Sequence, residues 1–186
     1  HSSEDGNMVM IHNGIIENSS PLREELVKRG HHFKSETDTE VLIHLIGDIR
    51  KNEKVSLFEA VRISLNEVIG AYAIVLMEKS NPDQLIAAKK GSPLVVGIGE
   101  GEFYIASDAT PIIEYTKNVV YLDDEEIAII DRNDGFKLMN IKNQEKTPTK
   151  IKRIRYIFVN LRNVLYFIIL IEHFLNLVRN RVKLNK

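Results

Sequence analysis

The hydrophobic period of this chain changes once, near residue 70, and that change admits few architectures. Before it, apolar residues recur at helical spacing. "SSPLREELVKRG" (19–30) sets Leu22 and Leu26 one turn apart, with Ser20 expected as N-cap, Pro21 at the first helical position and Gly30 as the stop. Thr37-Asp38-Thr39-Glu40 has the spacing of a capping box and leads into Val41, Leu42, Leu45, Ile46 and Ile49 on one helical face. "SLFE" (56–59) repeats the pattern and opens a third helix running to about Ile69. After residue 70 the apolar runs become short: 71–78, 84–90, 94–99, 102–107, 119–124 and 126–131, parted by "SNPD", "GSP", "GEG" and similar turn residues. "ATPIIEYT" (109–116) is expected as a short helix between two of these strands. Helices followed by mostly sequential strands predict an α+β layered domain, not a parallel βαβ array.

The opening residues pose a separate question. "VMIHNGIIEN" (9–18) places Asn13-Gly14 between two apolar runs, and on pattern alone this is a hairpin turn, because both residue types tolerate positive φ. "GIGEG" (97–101) looks like a phosphate loop, but it lies between strand-like runs and is expected to be a hairpin turn too.

Composition narrows the chemistry. The 186 residues hold no cysteine, which excludes disulfides, thiolate metal sites and a thiol nucleophile within the chain. The 44% hydrophobic content is enough for a sizeable core. A formal net charge of −1 conceals an asymmetry: residues 150–186 carry nine Lys/Arg against the single acid Glu172, leaving 16 basic and 25 acidic residues in 1–149. That basic tail (149–186 as a segment) draws on a vocabulary of Ile, Asn, Lys, Arg, Leu, Phe, Tyr and Val with single Glu and His residues, as AT-rich DNA read in a shifted frame would give. It is expected to be a frameshift product, helical if it folds. Its longest uncharged apolar run, Val164 to Ile171, is too short to span a bilayer. Neither membrane contact nor nucleic-acid binding is expected of it.

Metal ligation is not expected either. His31 and His32, with Asp38 and Glu40 following, could suggest a metal site, but adjacent histidines point apart on an extended chain and no His pair has i, i+4 spacing. Asp38 by itself reads as a carboxylate favourably placed at a helix N-terminus.

Taken together and in order, "HNGIIEN" (12–18), "PLREEL" (21–26), "SETDTEVLIHL" (35–45), "GAYAIVLM" (70–77), "GSPLVVGIG" (91–99) and "FYIASD" (103–108) resemble the glutaminase domain of the isomerising glutamine:fructose-6-phosphate amidotransferases. The resemblance covers roughly residues 1–145. Related class II amidotransferases differ in the same places: asparagine synthetases read closer to "NGEIYN" at the first motif, and the purine-pathway enzymes closer to "HNGNL".

The resemblance implies an N-terminal-nucleophile hydrolase-type four-layer αββα sandwich over residues 1–148, incomplete at the N-terminus. It implies an oxyanion hole made by the Asn13 side-chain amide and the Gly14 backbone N–H, and an Asp38 carboxylate that binds the α-amino group of L-glutamine. Gly91 to Leu94 are implied to serve the fold. The family's nucleophile is an N-terminal cysteine, absent here, so a chain truncated in front and without glutaminase activity of its own is expected. Fructose 6-phosphate would be met only through an isomerase domain outside this chain. No cofactor is implied, and the parent is expected to be a cytoplasmic homodimer.

Overall fold

The computed structural model describes residues 1–142, together with the backbone of 145–146 and 151–153. Among the described residues three helices and ten strands follow in the order β1 (Met8–Ile16), α1 (Ser19–Lys28), α2 (Asp38–Glu53), α3 (Leu57–Glu67), β2 (Gly70–Glu78), β3 (Asn81–Lys90), β4 (Val95–Ile98), β5 (Phe103–Ala106), β6 (Asn118–Tyr121), β7 (Glu126–Asp131), β8 (Gly135–Asn140), β9 (Glu145–Lys146) and β10 (Ile151–Arg153). The ladders joining these strands are all antiparallel, as the order of helices and strands predicts.

The chain divides into two compact units. The first, built from 1–93 and 122–147, holds the sheet β1-β2-β3-β7-β8-β9. Even-numbered residues of β1 face the helices: Met8, Met10 and Ile16 pack with Leu42, Ile43 and Ile46 of α2, Val61 and Leu65 of α3, and Ile74 and Leu76 of β2. Nearly every one of these side chains is withdrawn from water, and each contributes about 1.5–3 kcal/mol by that transfer. Leu26 of α1 closes a smaller cluster with Val41 and Leu45 on a neighbouring face of α2. The second unit holds β4, β5 and β6 with the backbone of β10, in the order β10-β6-β4-β5, around Val95, Ala106, Ile112 and Val119.

Several local expectations are corrected. Asn13-Gly14 is not a hairpin turn: both residues sit inside β1, which pairs with β2 without a break from Met8↔Glu78 to Ile16↔Gly70. Positive φ is used there, at Gly14, to let the strands approach and not to reverse the chain. Ser20 is not the N-cap of α1. That position is Asn18, whose amide spans to the end of α3 by donating to the Glu67 carbonyl and accepting from the Ile69 N–H. Pro21 accordingly lies inside the first turn, where no intrahelical N–H is needed. Residues 109–116 form consecutive turns instead of a helix, closed by N–H donation from Ile112 and Ile113 to the Ala109 carbonyl and from Tyr115 and Thr116 to that of Ile112. The 97–101 segment does join two paired strands, β4 and β5. Of the basic tail, Ile151–Arg153 forms a strand on β6, and the frameshift and helix expectations for 154–186 lie outside the described residues.

Candidate active site

The candidate residues lie on or beside β1, at the end of its sheet. In an antiparallel strand successive N–H groups point to opposite sides. Met8 donates to Ser3 Oγ (2.9 Å), Met10 to the His1 carbonyl (2.8 Å) and Ile16 to Asp38 Oδ2 (2.8 Å), all away from β2. The parity holds on both sides of Gly14, so the Gly14 N–H belongs to the same outward row. Among the described residues no strand pairs with β1 on that side, apart from a single bridge between Ser2 and Val9.

Gly14 is the one residue type this position accepts. Its φ of +136° is a backbone conformation that side chains with a Cβ rarely adopt, and a Cβ there would sit 2.2 Å from the Ala71 carbonyl oxygen. Asn13, next to it, is exposed, and its side chain points to the face of the sheet opposite the helices. Asn13 thus carries a side-chain amide, and Gly14 a backbone N–H, at neighbouring positions of β1.

Asp38 reaches this edge because α2 begins there. Thr37 caps the helix by accepting from the Glu40 N–H at 3.3 Å, and Asp38 is the first helical residue. Its carboxylate is a quarter exposed. One oxygen takes the Ile16 N–H, while the other lies 3.4 Å from Thr39 Oγ1 and 3.9 Å from His12 Nδ1. His12 is buried and shares a 3.0 Å hydrogen bond with Thr39 Oγ1, and its Nε2 has no partner among the described residues. Burial pushes the His12 pKa below its ordinary value, against the opposing pull of Asp38 and the Ala71 backbone. A neutral imidazole thus holds Thr39 and backs Asp38 without adding charge.

Sequence reasoning named Asn13, Gly14 and Asp38 and missed His12 and Thr39. The signal for His12 was its even register with Gly14 and Ile16 on the helix-facing side. Nothing in the sequence paired it with Thr39, 27 positions away. The acids Asp38 and Glu40 do not join His31 and His32. Glu40 instead accepts from the N–H groups of Lys34 and Ser35 and from the Ser35 hydroxyl, within its own helix-entry loop. His31 and His32 both bond to Glu4.

This edge offers an amide side chain and a backbone N–H as hydrogen-bond donors, and an anchored carboxylate as an acceptor. Solved structures share the fold. Glutamine phosphoribosylpyrophosphate amidotransferase from B. subtilis superposes with a TM-score of 0.64 at 26% identity, covering 76% of this chain and 30% of that one. The structure of an allosteric regulatory enzyme of purine biosynthesis gives 0.61 at 27% identity over 72% of this chain and 28% of its own. The architecture is therefore that of the N-terminal-nucleophile hydrolase-type amidotransferases, mixed α/β with antiparallel sheets.

Sequence relatives narrow this further. The chain is 53% identical over 154 residues to the glutamine–fructose-6-phosphate aminotransferase (isomerising) of Bacteroides thetaiotaomicron, and 50% identical over 154 residues to that of Chlorobaculum tepidum. These matches take in 83% and 81% of this chain but 25% of each relative, so the chain spans about a quarter of their length. With residues 1–114 matching the glutamine amidotransferase domain, the chain belongs to that family.

Proposed function

We propose that this chain is the glutamine-binding and oxyanion-stabilising part of the glutamine-hydrolysing domain of an isomerising glutamine:fructose-6-phosphate aminotransferase. Asp38 pairs with the α-amino group of L-glutamine. Asn13 and Gly14 donate to the oxygen that becomes negative when the side-chain amide is attacked, each donor being worth about 10²- to 10³-fold in rate. The single observation that supports this most is the position of Asp38, whose carboxylate is tied to the Ile16 N–H two residues beyond Gly14 and remains partly open to solvent. A carboxylate already held by its own helix and strand loses little freedom on meeting an ammonium.

The nucleophile of the reaction is not among these 186 residues, which include no cysteine. Loss of the nucleophile of a covalent mechanism costs on the order of 10⁶ in kcat, as in serine proteases, so this chain binds glutamine without turning it over. In the whole enzyme the ammonia released passes to fructose 6-phosphate, bound by a domain beyond this one. By the same likeness the parent is a cytoplasmic homodimer, which sedimentation and cell fractionation of the whole protein would test.

Isothermal titration of the 186-residue chain with L-glutamine tests the reading directly. The expected result is saturable binding that Asp38→Asn weakens by about 10- to 100-fold, the worth of a hydrogen bond to a charged group. Equal affinity in the two proteins would overturn the role given to Asp38.

A further inference from the structure

Away from the β1 edge, in the same unit, Glu4, His31 and His44 each bring one ligand atom within 4.8 Å of the other two. They come from three elements: the turn ahead of β1, the loop after α1, and α2. Carboxylates lie near both rings, within hydrogen-bond distance for His31 only. His31 Nε2 is held at 3.1 Å by Asp48 Oδ1, which leaves Nδ1 turned to Glu4 Oε2, also at 3.1 Å. The His44 side chain is 2% exposed, its Nε2 lies 3.9 Å from Glu40 Oε1, and its Nδ1 has no hydrogen-bond partner among the described residues. A ring nitrogen buried without a partner is unfavourable, and the carboxylate hydrogen-bonded behind His31 is the usual outer shell of a metal-bound histidine.

We propose that Glu4, His31 and His44 bind a divalent metal ion of the zinc class. Two imidazoles and one carboxylate suit zinc better than calcium or magnesium, and three protein ligands leave a fourth position for water. Zinc bonds of about 2.0–2.2 Å place tetrahedral ligand atoms roughly 3.4 Å apart, so the cluster must tighten. Glu4 can supply that movement, since its side chain is 39% exposed and it lies in a turn. The fourth position has room, because Glu4, His31 and His44 all line a cavity of about 680 Å³ that also takes in Asp48, Arg50 and Glu78. The ion would tie the segment preceding β1 to α2, and so act as a staple of the fold, independent of glutamine.

Titration of the full 186-residue chain with Co²⁺ reads the site by the visible absorption of tetrahedral cobalt, followed by displacement with Zn²⁺. The expected result is one equivalent bound and a Tm higher by about 5–10 °C at a hundredfold excess of Zn²⁺ over its Kd. Glu4→Gln and His31→Ala, both at partly exposed positions, should each weaken binding at least tenfold. His32→Ala, which removes the exposed neighbour that also touches Glu4, should leave it within threefold. Failure to retain Zn²⁺ at one equivalent, binding that survives both Glu4→Gln and His31→Ala, or loss of binding on His32→Ala would each overturn this ligand set.

Discussion

Replacing Gly14 by alanine should damage this protein far more than one methyl group suggests. Two separate terms contribute. The backbone at φ +136° lies where residues with a Cβ are strained, which costs of the order of 1–3 kcal/mol. The added Cβ would also meet the Ala71 carbonyl oxygen at 2.2 Å, the Ala71 carbonyl carbon at 2.8 Å and the Tyr72 Cα at 2.9 Å. These are backbone atoms of β2 that cannot swing aside as a side chain would, so the β1–β2 ladder must separate locally near its Ile16↔Gly70 end. Its hydrogen bonds are then stretched and the Tyr72 packing beneath is opened, which adds roughly 1–3 kcal/mol in the manner of an overpacked core. The expected loss is about 2–6 kcal/mol, a large share of the stability of a domain this size. Gly6→Ala is the internal control: its φ of +68° is also positive, but nothing lies within 4 Å of a Cβ there, so only the left-handed backbone term of about 1–2 kcal/mol applies. Guanidinium denaturation of both variants measures the difference. If Gly14→Ala falls within 1 kcal/mol of Gly6→Ala, close strand approach is not what selects glycine at this position.

Three further outcomes follow from the same geometry. Thr37→Ala should cost about 1 kcal/mol by thermal melting, because Thr37 caps α2, while Ser20→Ala should change stability by under about 0.5 kcal/mol, since Ser20 lies inside α1 and caps nothing. Tyr72→Phe should be neutral or stabilising by up to about 1 kcal/mol, because the Tyr72 hydroxyl is buried with no partner among the described residues. A loss above 1 kcal/mol would reveal a bond to that hydroxyl. His12 contributes to pH dependence with a definite sign. Its folded pKa is held below the ordinary 6.5, so under that pH the unfolded chain takes up the proton more readily, and stability falls as pH drops through 6.5. Denaturation midpoints at about pH 7.5 and 5.5 should therefore differ more for the native sequence than for His12→Asn, and equal differences would contradict a buried neutral imidazole.

The fold was legible wherever local patterning and tertiary demand agreed. The box at Thr37–Glu40 predicted where α2 starts, and Thr37 does cap it. Glu40 does not close the box in return. It turns to Lys34 and Ser35, because the loop before α2 has N–H groups of its own to satisfy. Asn13-Gly14 misled for an instructive reason: positive φ serves tight turns and close strand contact alike, and only the partner strand, 58 residues further on at Gly14↔Tyr72, tells them apart. Ser20 and Pro21 looked like a helix start, yet Asn18 took the role once α3 offered its amide both a donor and an acceptor. The strand β8 went unread although "RNDGF" announces it. Asp131 Oδ1 accepts from the N–H groups of Asn133 and Asp134 and folds the chain back at Gly135. Of the candidate site, the named residues came from family resemblance, whereas the outward row of N–H groups that links them is a property of register, which a one-dimensional pattern does not contain. The grouping of Glu4, His31 and His44 is of the same kind, since 40 residues separate its ends.

The central claim is that glutamine is held at the outer edge of β1, between Asp38 and the donors of Asn13 and Gly14. Backbone amide chemical shifts of the 186-residue chain, followed during addition of L-glutamine, test it most directly. The account predicts that the largest shifts fall on Asn13, Gly14, Ile16 and Asp38, saturate, and vanish in Asp38→Ala. Saturable shifts centred elsewhere, or an unchanged spectrum with glutamine in large excess, would contradict it.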